Sequence, residues 1–530
     1  MKTFGLAAVM ALMLAGSAHA GIDVSAIPVT HKQSDLPAGW NKNVAFMEIF
    51  VRSYQDSDGD GVGDFKGLTS RLDYLKSLGV TGIWLMPMMP SGDHDHGYAV
   101  ADYRAVNPEY GTMADFETFV KEAHKRGIGV ILDFVVNHSA STNPLFVDAS
   151  SSKSSPYRDW YVFADQDPKW PGFQWGPWRK VKNGDGYYYG VFDDRMPDFN
   201  LKNPRVVQYL QDTMRFWMNK GVDGFRLDAV TMLLEDGPKS YFNNPGNPAI
   251  VKQLQDTINQ FDDRYLICEV SEGAEKYLDS CNAFAYGVQQ STVDGAKKGV
   301  IEDGLIKQLQ NPRADQMPLA LQSHDAYVGD RLENQFGVNG AGSYRVAAAI
   351  SILASATPFS YYGEEIGMSN GGVYNDPGLR SPMSWTGVRR TAGFTTGKPY
   401  RDVAINVQSA NVADEAGDPS SLLEYYRALY TMRQRHAVLG TGTFKLQSKA
   451  GDPVLAFTRA GDGDLAAVAV NVSDAPQTVS LDTGMANAAF VNDLKVLGDV
   501  PAAPVTSDGD GHLRLTVAPK SAVVMVRAGG

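Results

Sequence analysis

Four short segments of this chain end in side chains able to exchange protons, attack an electrophile or hold an anion. The first runs from Asp133 to Asn137-His138, and the second from Gly224 to Asp228, with Arg226 two residues before its terminal acid. The others are Cys268-Glu269 and Ser323-His324-Asp325. A single carboxylate at the end of an apolar run is commonly a helix cap. Acids on several such ends, with an arginine and two histidines, converge on one cleft if the strands close into a barrel. A further acidic pattern stands apart. Asp56, Asp58, Asp60 and Asp64 alternate through a glycine-rich stretch and offer the hard oxygen ligands that Ca²⁺ prefers, with the Val62 carbonyl as another donor. The stretch opens like an EF-hand loop but carries Gly67 where that loop requires Glu, so it is not one.

The elements that must position these groups are legible as alternation. From about Val44, short, nearly continuous apolar runs alternate with helical patterns, as in repeated β/α units whose strands are covered on both faces. The strand candidates are Ala45 to Phe50, Val80 to Met86, Gly129 to Val136, Gly224 to Leu227, Tyr265 to Cys268, Ala283 to Tyr286, Pro318 to Leu321 and Pro358 to Tyr362. Helical patterns with apolar spacings of three and four lie between them, for example Phe116 to Lys125, Arg205 to Met218 and Tyr344 to Ala354. The fold class predicted is α/β, an eight-fold (β/α)8 TIM barrel formed by residues 21–136 and 205–437. Residues 137–204 form an insertion after the third strand, and a second long connection follows the eighth, from Gly363 to about Pro419. Residues 438–530 turn to short alternating runs such as Val454 to Thr458 and Leu465 to Asn471, predicting a C-terminal β-sandwich domain.

Residues 1–20 have a positive start at Lys2, an apolar stretch from Phe4 to Gly16 and a small-residue site Ala18-His19-Ala20. This predicts a signal peptide and a secreted protein, periplasmic or extracellular. Elsewhere no apolar run approaches the roughly 20 residues needed to cross a bilayer, so no membrane partner is expected. The 48 basic and 60 acidic residues give a net charge of −12 without a cationic block, which argues against nucleic acid. Cys268 and Cys281 permit one disulfide in an oxidising compartment, and spacing alone leaves open whether it forms.

Together the four segments resemble, in order and approximate spacing, the signature regions of the α-amylase family of glycoside hydrolases. Met196-Pro197-Asp198-Phe199-Asn200 is similar to its fifth region. Gly82 to Pro87, His96-Gly97-Tyr98, Tyr362 to Gly367 and Arg380 to Trp385 also look like family elements. The resemblance implies Asp228 as nucleophile, Glu269 as general acid/base and Asp325 as the acid that fixes the sugar. It implies Tyr98, His138 and His324 as sugar-binding residues, Arg226 as the group that orients the nucleophile, and Asp133 as a support beneath. It also implies double displacement with retention, and a substrate that is an α-glucan or malto-oligosaccharide. The loop holding Asp56, Asp58, Asp60, Val62 and Asp64 resembles the structural Ca²⁺ loop of oligo-1,6-glucosidases. By contrast, Thr231-Met232 replace the Lys-His pair of many α-amylases, so the calcium site at the barrel insertion is not expected. Ser323 and Ala99 stand where Asn and Asp are common, and are expected to tune the site without abolishing it. Ala229, where α-1,6-specific relatives tend to have Val, favours α-1,4 bonds of starch or maltodextrins. The alternatives are an α-glucosidase or oligo-1,6-glucosidase acting on short oligosaccharides, or a glycosyl-transferring relative. Trp160, Trp170, Trp175, Trp178 and Tyr187-Tyr188-Tyr189 in the insertion either stack on sugars or form its own core.

Overall fold

The computed structural model describes residues 22–171, 176–182, 184–498 and 503–528. The leader expected at 1–20 and Trp175 lie outside the described residues. Parallel strands follow one another around the catalytic domain: Phe46–Ile49, Gly82–Leu85, Gly129–Val135, Gly224–Asp228, Tyr265–Cys268 and Asn282–Ala283. The strand Phe359–Tyr361 pairs with the first from its other side. Between the last of these and Asn282–Ala283 lies the predicted strand Pro318 to Leu321. It closes the ring through one amide bond, Ala285 N to Pro318 O at 3.1 Å, and one parallel bridge, Ala320 to Phe359. It forms no ladder, for a local reason. Pro318 has no N–H to donate, and the Leu319 N–H bonds to the Ser355 hydroxyl at 3.0 Å instead of to a strand.

Side-chain alternation sorts each strand into two layers. Met47, Ile49, Ile83, Leu85, Val130, Leu132, Phe225 and Leu227 face outward into the core shared with the helices. Phe46, Trp84, Ile131, Tyr265, Ile267 and Phe359 pack as a separate cluster inside the ring. One inward position further along the same strands stand Glu48, Asp133 and Arg226, all buried. Gly224 is required where the fourth strand meets the fifth, because a Cβ there would lie 1.9 Å from the Tyr265 carbonyl oxygen.

Two helices begin earlier than their apolar periodicity predicts, by three residues and by one, where polar caps extend them. Met113–Lys125 starts at a Thr112 capping box with Asp115, and Pro204–Met218 starts where the Asn203 side chain accepts from Arg205 N. The insertion contains the helix Pro144–Ser151 and a three-stranded sheet. Trp160, Tyr188 and Tyr189 are buried in its core, while Trp170 and Trp178 pack edge-on against Tyr189 at its surface. The C-terminal strands form a six-stranded antiparallel sheet faced by the pair Gln477–Asp482 and His512–Val517, with Leu481, Leu513 and Val517 buried beneath. This is the sandwich predicted. Cys268 and Cys281 are joined, with Cα atoms 6.0 Å apart, linking the end of the fifth strand to the start of the sixth.

Replacing Gly224 with Ala should force the fourth and fifth strands apart and destabilise the barrel by about 1–3 kcal/mol. The measurement is a urea unfolding curve, in which the midpoint should move to lower denaturant.

Candidate active site

A cavity of about 300 Å³ opens at the C-terminal ends of the strands, lined by His96, Tyr98, His138, Phe192, Met196, Asp228, Ala229, Glu269, Asp325, Tyr327, Asp376 and Arg380. Asp228 ends the fourth strand and Glu269 directly follows the fifth. The Arg226 guanidinium, 1% exposed, joins them. Its Nη1 lies 2.7 Å from Asp228 Oδ1 and its Nη2 2.9 Å from Glu269 Oε2, while Nη1 also meets Asp133 Oδ2 at 3.0 Å. Arg226 and Asp228 share a face because they are two apart on one strand. The next residue, Ala229, sits in the left-handed region at φ 51°, an uncommon conformation for a residue with a Cβ. This turn aims the Ala229 N–H at Glu269 Oε2, 2.9 Å away.

The two carboxyls flank one guanidinium and cannot both be ionised cheaply. Burial, reinforced by Glu269, pushes Asp228 well above the usual carboxylate range. Burial also raises Glu269, but the Arg226 charge together with the hydrogen bonds from Tyr327 and the Ala229 amide holds it below its ordinary value. Protonation of the pair therefore favours Asp228 over Glu269.

A second network holds Asp325. His324 Nδ1 is 2.5 Å from Glu48 Oε1, and its Nε2 is 3.0 Å from Asp325 Oδ2 and 2.7 Å from the Tyr98 hydroxyl. Arg380 Nη2 closes the other side of Asp325 at 3.0 Å. Burial alone would depress His324, but Asp325 and Glu48 reverse this and raise it to about 10. Burial works against the Asp325 anion too, and His324 with Arg380 holds it well below the usual range. His138 is different. Burial lowers it to about 4, and its Nε2 has no hydrogen-bond partner, which leaves a neutral imidazole edge in the cavity wall. Tyr98 stacks on His324 at 5.4 Å and donates to Asp133 Oδ2 at 2.9 Å.

All seven residues anticipated as catalytic or sugar-binding thus meet in one place. Three other contributors were not anticipated. Glu48 was detectable as the acid within an otherwise apolar first strand, and Arg380 as the first residue of a family-like element. Tyr327, whose hydroxyl donates to Glu269 Oε1 at 2.6 Å, carried no signal beyond lying two residues after Asp325. Trp160, Trp170 and Trp178 of the insertion do not line this cavity; Phe192 does.

The acidic loop folds as a separate unit. Asp56, Asp58 and Asp64 present carboxylate oxygens within 4.8 Å of one another, the group among the described residues arranged to hold a metal ion. Asp60 lies outside that triplet and accepts from Val62 N at 2.7 Å, yet burial and the neighbouring acids raise its pKa. That repulsion is what a divalent cation would relieve.

Comparison with known proteins places this geometry. The family model for the α-amylase catalytic domain matches residues 48–442. α-Amylase 3 of Dictyoglomus thermophilum is 34% identical across 79% of this chain and 82% of its own length. The oligo-1,6-glucosidase of Parageobacillus thermoglucosidasius is 30% identical across 82% of this chain and 91% of its own. The crystal structure of the α-amylase from H. orenii aligns with a TM-score of 0.78 at 32% identity, covering 92% of this chain and 99% of that one.

The opposed environments of the two histidines make a direct prediction. An imidazole raised to about 10 stays protonated through neutral pH, and one lowered to about 4 stays neutral. Imidazole NMR resonances assigned with His138→Gln and His324→Gln variants should show neither group titrating between about pH 5.5 and 8.5. Because His324 is raised above its unfolded value, the stability it adds is complete below about pH 6.5 and lost as pH rises toward 10. The wild type should therefore lose stability over that interval more steeply than His324→Gln.

Proposed function

The chain belongs to the α-amylase family of glycoside hydrolases, and from that premise we propose that it is an exported enzyme cleaving α-1,4-glucosidic bonds of starch or maltodextrins with retention. The observation that carries this reading is the single guanidinium bound to both Asp228 and Glu269, which keeps the carboxyls side by side. Retaining glycosidases hold their two carboxyls about 5 to 5.5 Å apart, whereas inverting ones leave room for a water between them. Asp228 attacks the anomeric carbon while Glu269 gives its proton to the leaving oxygen; water, deprotonated by Glu269, then releases the sugar from Asp228. For the first step the shared proton must pass from the Asp228 side to Glu269. Positive charge developing at the anomeric carbon favours ionised Asp228, and electron density gathering on the leaving oxygen draws the proton from Glu269. Asp325, held ionised, and the unpartnered His138 Nε2 are suited to the hydroxyls of the bound ring.

Linkage preference rests on Ala229, which lines the cavity beside the nucleophile. A β-branched residue at its φ of 51° would be strained as well as bulky. Export is supported by the leader-like residues 1–20 and by the disulfide, which oxidising compartments preserve. The cavity, at the small end of ligand sites, favours one second reading, an α-glucosidase acting on short oligosaccharides. Incubation with soluble starch, maltotriose and isomaltose separates them. An α-1,4-glucanase should fragment starch, leave isomaltose intact and release α-anomers first by NMR. Asp228→Asn should lower turnover by orders of magnitude. Rapid glucose release from isomaltose with little attack on starch would overturn the first reading.

A structural Ca²⁺ belongs to the same reading. Asp56, Asp58 and Asp64 would hold it, with Asp60 and the Val62 carbonyl as further candidates, and the ion would supply neutralising charge and no chemistry. An ion bound by the folded chain alone stabilises by RT ln(1 + [L]/Kd), about 2.7 kcal/mol at a hundredfold excess over Kd. Chelation should accordingly lower the melting temperature, with calcium restoring it. Asp58→Ala combined with Asp60→Ala should copy the chelator's effect and remove any further response. Identical thermal scans with and without chelator, and no calcium by elemental analysis, would remove the site.

A further inference from the structure

An acid that must deliver a proton needs an oxygen able to carry it, and three of the four lone-pair positions of Glu269 are taken. Oε2 accepts from Arg226 Nη2 and from Ala229 N, both at 2.9 Å, and Oε1 accepts from the Tyr327 hydroxyl at 2.6 Å. Guanidinium and amide N–H groups only donate, so Oε1 is the oxygen through which the proton must leave. Tyr327 thus holds one of the two lone-pair positions on the oxygen that the leaving sugar oxygen must approach.

The surroundings of Tyr327 suit it to moving away. Its backbone turn is anchored, since Ala326 N donates to Asp376 Oδ1 at 2.7 Å and Val328 N to Asp325 O at 3.1 Å. The ring itself is 54% exposed, with one aromatic neighbour, Tyr286, edge-on at 5.6 Å. Rotation of the side chain alone frees Oε1.

Taking Asp228 and Glu269 in the roles assigned above, we propose that Tyr327 is a positioning residue that sets the proton state of the acid. With the leaving-group side of the cavity empty, its hydroxyl holds Glu269 as the anion; a sugar entering that side displaces the hydroxyl and puts its glycosidic oxygen on Oε1. In the first half-reaction the proton passes from Oε1 to that oxygen as the glycosidic C–O bond breaks and the Asp228 ester forms. In the second, Glu269 takes a proton from water as the water oxygen bonds to the anomeric carbon and the ester breaks. Tyr327 keeps its own proton throughout. Its hydrogen bond opposes the acid role and favours the base role.

The groups facing Glu269 are Arg226 and Asp228 from the fourth strand, Asp325 and Tyr327 from the segment after the seventh, and Tyr286 beyond the sixth, with Asp133 linked through Arg226. Burial and Asp325 raise the Glu269 carboxyl, while Arg226, the Tyr327 hydroxyl and the Ala229 amide lower it. Removing the hydroxyl removes one lowering influence and leaves the others in place.

The test is the pH dependence of kcat/KM for a maltodextrin, whose basic limb reports loss of the proton that Asp228 and Glu269 share in the free enzyme. Tyr327→Phe should move that limb upward by about one unit, read as about a tenfold gain relative to wild type above it. Tyr327→Leu, which also lacks the hydroxyl, should shift it equally and in addition raise KM through loss of the ring. With an aryl α-glucoside, whose leaving group needs no proton, the ratio of variant to wild type should no longer rise with pH. An unmoved basic limb in both variants overturns the proposal. Failure of the underlying roles would look different: Glu269→Gln would lose as much activity on the aryl substrate as on the maltodextrin.

Discussion

One buried guanidinium organises the catalytic end of this barrel. Arg226 contacts Asp133, Asp228 and Glu269 at once, and burying its charge would cost several kcal/mol without those partners. The pairing is lopsided. Five carboxyls (Glu48, Asp133, Asp228, Glu269 and Asp325) face three cations, Arg226, His324 and Arg380. Low-dielectric surroundings do not tolerate that excess, and burial answers it with protons, raising Asp133 to about 6 and Asp228 further.

The network is possible because each strand changes character along its inner face. Phe46, Ile131 and Ile267 fill the ring with hydrocarbon, and one inward step further Glu48, Asp133 and Glu269 replace them. Outward positions remain apolar throughout and bind the helices. The apolar plug excludes water from below, so the charges above it interact strongly with each other. The Cys268–Cys281 bridge fastens the segment just before Glu269 to its neighbour, adding a covalent restraint beside that carboxyl.

Connections between strands supply the rest of the site. The residues after the eighth strand bring Arg380 to Asp325 and also support the acidic loop, where the Thr395 hydroxyl donates to Asp56 Oδ2. The insertion returns at Asp198, whose carboxylate accepts from the Asn137 side chain at 3.0 Å, and so fixes the wall that carries His138. Tyr327 comes from a third such connection. A shared barrel with variable loops accounts for relatives named α-amylase and oligo-1,6-glucosidase on one framework.

The amino-acid sequence by itself determined the barrel, the sandwich and the strand ends bearing Asp228, Glu269 and Asp325, because strand periodicity and the motif order are local properties of the chain. It also disclosed Arg226, since a spacing of two within one strand dictates a shared face. Only the tertiary structure decided which groups meet. Glu48 and His324 are 276 residues apart, and no local pattern encodes that contact. The weak seventh strand turned on a distant Ser355 hydroxyl that captures the Leu319 amide, and the disulfide on the side-by-side placement of two strand ends. The insertion's aromatic residues likewise read as core or as sugar platform until packing buried Trp160, Tyr188 and Tyr189. Proton state was the least legible of all. It depends on the burial and mutual distances of five acids and three cations from separate segments, quantities that exist only once the chain has folded.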